Sequence, residues 1–158
     1  MLVPGTTARR WRRAVVLVAL LTGARESRAQ FISVSGDPSP LIVSAAIAGA
    51  PPNAVSDAST TYFILLFNGA GVFSKITGQL SAAMPPGVTL AGTLAAPGGG
   101  STSAGAVTLD VTARNMVTGI GGFVIAVRSI TYQLSATLAA GVVATQSRIV
   151  TLTVAPFP

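Results

Sequence analysis

Cysteine and histidine are missing from all 158 residues of this chain. Their absence removes disulfides, thiol nucleophiles, imidazole-dependent triads and zinc sites of the usual ligand types together. Carboxylates are almost as scarce, with four in the whole sequence: Glu26, Asp37, Asp57 and Asp110. The formal charge of +6 is misleading, because six of the ten basic residues precede Gln30. From Gln30 onward Lys75, Arg114, Arg128 and Arg148, each isolated in sequence, stand against three carboxylates, a net charge of +1. Without a basic stripe to neutralise phosphates, nucleic acid is not an expected partner. Aromatics are thin as well: the lone Trp is Trp11, and Tyr62 and Tyr132 are the only tyrosines.

What is present divides at residue 29. Arg9, Arg10, Arg12 and Arg13 precede an apolar run of eleven residues, 14–24. That run is too short for a membrane-spanning helix, which takes about 20 residues, and the basic-then-apolar order is that of a secretory signal peptide. Ser27 and Ala29 place small residues at −3 and −1, so cleavage is expected after Ala29 and the mature chain at Gln30. Arg12-Arg13 loosely matches a twin-arginine signal, but with no cofactor ligands to require folded export the general secretory route is the expectation. Residues 1–29 are thus read as a signal peptide and 30–158 as a single β-sandwich domain, secreted, periplasmic or at the cell surface. No stable membrane insertion is expected after cleavage; an uncleaved signal acting as anchor is the alternative.

Beyond the leader, apolar and polar residues alternate with the period of two that marks a strand with one buried face. Ile130, Tyr132, Leu134 and Ala136 alternate with Thr131, Gln133 and Ser135; Ile76, Gly78, Leu80 and Ala82 alternate with Thr77, Gln79 and Ser81. The two stretches, with Gly87-Val88 and Gly141-Val142 after them, share eight identical positions at a constant offset of 54 residues. Each copy reads as strand, turn, strand, so the echo suggests two related hairpins. Further strands are predicted over 31–35, 41–48, 62–67, 88–94, 107–113, 123–128 and 148–154, with the earlier copy extended to 72–82. Residues 49–60 read as an exposed loop, Asn68-Gly69 as a tight turn, 97–103 as a flexible glycine-rich connection and 114–119 as a single helical turn. Pro156 is expected to end the pairing of the last strand. The predicted core is Leu80, Leu90, Leu109, Val111, Ile125, Tyr132, Leu134, Val150 and Leu152.

Eight or nine short strands with no long helix imply an all-β fold, an antiparallel β-sandwich, immunoglobulin-like or pilin-like and without a disulfide. The Tyr-bearing strand, short turn and Thr/Val-rich last strand resemble the end of a bacterial surface or pilin-type sandwich, a likeness confined to the last part of the chain.

Chemistry has few candidates. Asp37, Asp57 and Asp110 are distant in sequence and set in turns, a loop and a wet strand face, so the chain is not expected to be an enzyme and no cofactor is expected. No Asp-x-Asp-x-Asp-Gly loop is present for calcium, and 97–103 lacks the Gly-Lys-Ser/Thr ending of a phosphate-binding loop. Three functions remain. The first is an exported, non-catalytic structural or adhesive surface protein that self-associates through edge strands, with Phe31, Ile32, Val34, Tyr62, Phe63 and Phe67 as the candidate interaction surface. Within it, 31–35 serves either as a strand donated to a neighbouring copy or as the first strand of its own sheet. The second is a carbohydrate- or other ligand-binding sandwich using an aromatic platform. The third is a small outer-membrane barrel, suggested by the mean hydropathy of +0.67, although the chain from Gln30 onward has no Trp and only two Tyr for interfacial girdles.

Overall fold

A computed structural model describes residues 30–44 and 50–158; the leader and the second half of the predicted 41–48 strand lie outside the described residues. Among the described residues there are nine strands: β1 (Gln30–Ser35), β2 (Val55–Phe67), β3 (Phe73–Leu80), β4 (Val88–Leu94), β5 (Thr102–Ser103), β6 (Val107–Thr108), β7 (Arg114–Gly121), β8 (Phe123–Ala136) and β9 (Val150–Phe157). They form two antiparallel sheets, ordered β1-β2-β8-β4-β6 and β5-β7-β3-β9. The fold is a β-sandwich. It is not the single closed sheet of a barrel, because each sheet ends in free edges and side chains fill the space between them.

The alternation of the sequence decides which residues fill that space. On β2, Tyr62, Ile64 and Leu66 are fully buried, and on β8 Val124, Ala126, Ile130 and Tyr132 face the same way. Across the sandwich Ile76 and Leu80 of β3 and Met116, Val117 and Ile120 of β7 complete the core. Two glycines make room for the centre. A Cβ on Gly78 would stand 3.3 Å from Met116 Cγ, and one on Gly92, in the opposite sheet, 3.1 Å from Met116 Cε and 3.2 Å from Leu109 Cδ1. Met116 and Leu109 thus occupy the volume that side chains at those positions would take.

The 54-residue echo is real in placement but not in form. Its first strands, in β3 and β8, lie in different sheets, and each chain then crosses to the other sheet: β3 is followed by β4, and β8 by β9. Neither copy is a hairpin; instead β3 pairs with β9 and β4 with β8, so each copy supplies one strand to each pair. The second copy does not turn at Gly141 directly into a strand. A 3-10 turn, Leu138–Ala140, and an irregular stretch intervene before β9.

Other expectations change for physical reasons. The predicted strands 123–128 and 130–136 are one strand of 14 residues, β8, held along β2 from Phe67↔Phe123 to Val55↔Leu134. The unbroken register between Thr60 and Phe67 puts Ala126 opposite Ile64 and turns Ile125 outward, so Ile125 is not core. Val111 is exposed too: the chain leaves β6 after Thr108 and bends at Asp110, whose carboxylate accepts the Thr112 N–H at 2.7 Å and pairs with Arg114. Residues 114–119 belong to β7 rather than a helical turn. Residues 41–44 are not in a strand, and the expected loop 49–60 already contains the start of β2 at Val55. Pro156 does not end β9. It lies opposite Ser74, and pairing runs to Phe157↔Phe73, which an edge strand permits because its outer side needs no N–H donor.

The glycine-rich connection is an ordered turn. Gly99 has φ +67, and the Gly121 N–H donates to its carbonyl at 3.1 Å. Asn68-Gly69 joins strands of different sheets, and Asn68 is buried as a strut: its Nδ2 donates to the Ile120 carbonyl at 2.8 Å and to Ser74 Oγ at 3.2 Å.

Candidate functional site

Two features stand out, one on the outside of the larger sheet and one between the sheets. The outer feature follows from parity. Because Ile64 and Ala126 face inward, their neighbours face outward, and the register aligns them in rows: Phe67 beside Phe123, then Phe31 beside Leu65 and Ile125, then Ser33 beside Phe63 and Val127. Phe31, Phe67, Phe123, Ile125 and Val127 are each more than half exposed, while Phe63 and Leu65 are half-buried. The rings are in tilted contact, Phe31 with Phe63 at 6.0 Å and Phe67 with Phe123 at 6.4 Å between centroids. The next row, Ser35, Thr61 and Ser129, is polar, and the patch ends there. None of these outward positions carries a charge. The side chains expose on the order of 500 Å² of apolar surface, the upper part of the range of about 300–600 Å² for the largest patch on a monomer.

Of the six residues predicted as an interaction surface, Phe31, Phe63 and Phe67 come together on this face. Ile32 and Val34 are on the other side of β1: Ile32 packs against the core and Val34 borders the cavity described below. Tyr62 is corrected outright. Its ring is fully buried, and its hydroxyl donates to the Ala95 carbonyl at 2.5 Å, so it cannot meet a partner. Tyr132 is buried as well, leaving no exposed tyrosine platform for a sugar. Phe123, Ile125 and Val127 were not predicted. Extending the alternation of Ile130 and Tyr132 backwards through Ser129 and Val127 would have found them.

Strand β1 is the first strand of its own sheet, paired with β2 from Gln30↔Leu66 to Ser35↔Thr61. Among the described residues no strand pairs with its other side, and it carries no charged or proline residue to discourage pairing.

The inner feature is a cavity of about 480 Å³ where the sheets part, at the end marked by Val34, Leu90, Leu134 and Val150. Residues 36–41 cross over it as a strap. Gly36, at φ +80, lets the chain leave β1 close over β2; a Cβ there would stand 3.2 Å from the Ser59 carbonyl oxygen. Under the strap β2 is irregular, its register with β8 shifting between Asp57 and Thr60. Asp57 organises that bulge by accepting the Ser59 hydroxyl at 2.6 Å and the Ser59 N–H at 3.0 Å. The Ser59 hydroxyl and N–H, with Ser39, hold the Asp57 carboxyl below its ordinary range.

Thr60, next in the chain, lines the cavity at 1% exposure. Its hydroxyl has no hydrogen-bond partner among the described residues, a state that costs about 1–3 kcal/mol when a polar group is buried. Tyr132 also lines the cavity, its hydroxyl pKa raised by burial. At the rim the Arg148 guanidinium is engaged by the Ala83 and Ser147 carbonyls and Gln146. A second cavity of about 330 Å³ continues from the first, the two sharing Pro40, Leu41, Met84, Leu134 and Gln146.

The three carboxylates stay apart: Asp57 is tied into the bulge, Asp110 is paired with Arg114 and held below its ordinary range mainly by that guanidinium, and Asp37 lies in the strap. Among the described residues no three metal-ligating side chains gather. No family model, curated protein or solved structure matches the chain.

Proposed function

We propose that the protein is an exported, non-catalytic structural or adhesive subunit that associates with further copies of itself through the outer face of β1, β2 and β8. The observation that carries this reading is the uncharged apolar patch of Phe31, Phe63, Leu65, Phe67, Phe123, Ile125 and Val127. Two such faces packed together would remove on the order of 1,000 Å² from water, the area at which a specific interface becomes tenable. The charge-free surface suits sheet-on-sheet stacking by a like face, because no unpaired charge would be desolvated. Export rests on the reading of residues 1–29 as a signal peptide, and the scattered carboxylates support a non-catalytic role. The free edge of β1 borders the same patch and extends it with main-chain groups.

Sedimentation of the chain from Gln30 onward tests the reading. The expected result is concentration-dependent association that Ile125→Lys abolishes while leaving the unfolding midpoint unchanged. A strictly monomeric chain at high concentration, or association indifferent to Ile125→Lys, overturns it. A second reading, a ligand-binding module, draws on a different observation, the cavity beneath the strap.

A further inference from the structure

We propose that the outer edge of β1 pairs antiparallel with β1 of a second copy, in a register centred on Ile32, so that the larger sheets of two molecules become one. This rests on the assembly reading and deepens it: the outer face brings copies together, and the edge carries the assembly beyond a pair.

Four strands end the two sheets, β1 and β6 in the larger, β5 and β9 in the smaller. Strands β5 and β6 are two residues each, too short to template a partner. Strand β9 is long but guarded. The Ser81 N–H donates to the Ile149 carbonyl at 2.9 Å, so by alternation the main chain of Val150, Leu152, Val154 and Pro156 turns away from β3. Pro156 has no N–H to offer there, and Arg148 stands charged and exposed just before the strand. Strand β1 has six residues and, among the described residues, neither a guard nor a neighbour on that side.

The same alternation identifies what β1 presents. The Asn68 N–H donates to the Gly122 carbonyl at 2.9 Å, in the register that pairs Phe67 with Phe123. Leu66, Ile64 and Tyr62 therefore bond β8, while Leu65, Phe63 and Thr61 bond β1 through Phe31, Ser33 and Ser35. The N–H and C=O groups of Gln30, Ile32 and Val34 point away from β2. Placing Ile32 opposite the partner's Ile32 sets Gln30 opposite the partner's Val34, and every one of these groups is then matched. A shift of two residues towards Ser35 leaves Gln30 opposite Gly36, where φ +80 has already turned the chain off the edge. Side chains agree with the centred register. Phe31 meets the partner's Ser33 on the outer face, Ile32 meets its own copy on the inner face, and no charge is brought into contact.

Size explains why the face comes first. The edge is about 20 Å long and covers on the order of a few hundred Å², less than the roughly 1,200 Å² of a stable interface. Edge pairing accordingly joins copies already held by their faces. With two different self-complementary contacts on each molecule, assembly passes beyond two copies.

Sedimentation and cross-linking of the chain from Gln30 onward test this. The unaltered chain should form species larger than dimers, Val34→Pro should stop at dimers, and Ile125→Lys should be monomeric. Val34→Pro removes an N–H that β2 does not use, whereas Ser33→Pro removes one that it does, so Ser33→Pro should lower the unfolding midpoint further. Because the chain has no cysteine, single Phe31→Cys and Ser33→Cys variants report the register directly. Mixed, they should form a disulfide with each other, at about 4.5 Å between Cα atoms; alone, neither should, since each position lies about 7–8 Å from its own copy. A chain that stops at dimers, Val34→Pro assembling as the unaltered chain does, or Ser33→Cys cross-linking to itself in preference to Phe31→Cys overturns the edge pairing and leaves the face reading standing. Association indifferent to Ile125→Lys but lost in Val34→Pro overturns the face reading and leaves the edge as the contact.

Discussion

The Tyr62 hydroxyl stands 2.5 Å from the Ala95 carbonyl, reaching from β2 to the loop that follows β4 and spanning 33 residues of sequence. Burial pushes its pKa up from 10.0 to about 12, against a smaller opposing pull from Arg128. The neutral phenol is therefore favoured by folding. Its contribution is complete below about pH 10, where the unfolded phenol is also protonated, and declines as the pH rises from about 10 towards 12. Thermal unfolding followed across that window should show a falling midpoint, and Tyr62→Phe should flatten the fall. Tyr132, whose pKa is also raised by burial, should leave a remainder.

Neighbouring residues of β8 offer a sharp test of register. Ile130 is fully buried and Ile125 is exposed on the outer face. Ile130→Ala should cost about 2–5 kcal/mol in denaturant unfolding, whereas Ile125→Ala, measured at a concentration where the chain is monomeric, should stay within about 0.5 kcal/mol. Equal costs would mean that the alternation of this strand is misplaced.

The contrast between these two isoleucines shows how far the sequence could be read. Strand β4 was predicted with its observed ends, because Val88, Leu90, Gly92 and Leu94 lie between two turn signals and alternate cleanly. Residues 123–127 are apolar without interruption, so alternation there has no phase of its own. The phase comes from outside the segment, from Ile130 and Tyr132 further along the same strand and from pairing with β2. The apolar face was accordingly half-legible: its phenylalanines on β1 and β2 were found, its β8 residues were not. The cavity was not legible, since its walls come from the strap, Met84, Leu134 and the approach to β9, segments joined by no motif.

Gly99 is held by its surroundings as much as by its own conformation. At φ +67 an L side chain is strained, and a Cβ would lie 2.6 Å from the Gly121 carbonyl oxygen and 2.7 Å from Val124 Cγ2. Gly99→Ala should destabilise by on the order of 2–3 kcal/mol, read from the urea midpoint. Gly100→Ala meets nothing within 4 Å and carries only the conformational part of the penalty, so it should cost less.

Asn68 links the end of β2 to β3 and β7 through Ser74 and the Ile120 carbonyl. Asn68→Ala would remove a donor from a buried carbonyl and a partner from the buried Ser74 hydroxyl. A loss of about 1–3 kcal/mol is expected, with amide exchange rising first around Asn68 and Gly122, whose carbonyl accepts the Asn68 N–H at 2.9 Å.

The free edges of β1 and β9 have a geometric consequence. Gln30 Nε2 is 3.5 Å from Ser74 Oγ, and Phe157 is paired with Phe73, so both ends of the described domain meet at consecutive residues of one pole. The cavity opens at the far ends of the same strands, near Val34, Leu134 and Val150. A molecule moored by either end, to a bead, a sensor chip or a fused neighbour, therefore turns the strap away from its mooring. Immobilisation leaves the mouth clear, and what is presented outward is the strap and the approach to β9 rather than the phenylalanines gathered at the moored pole.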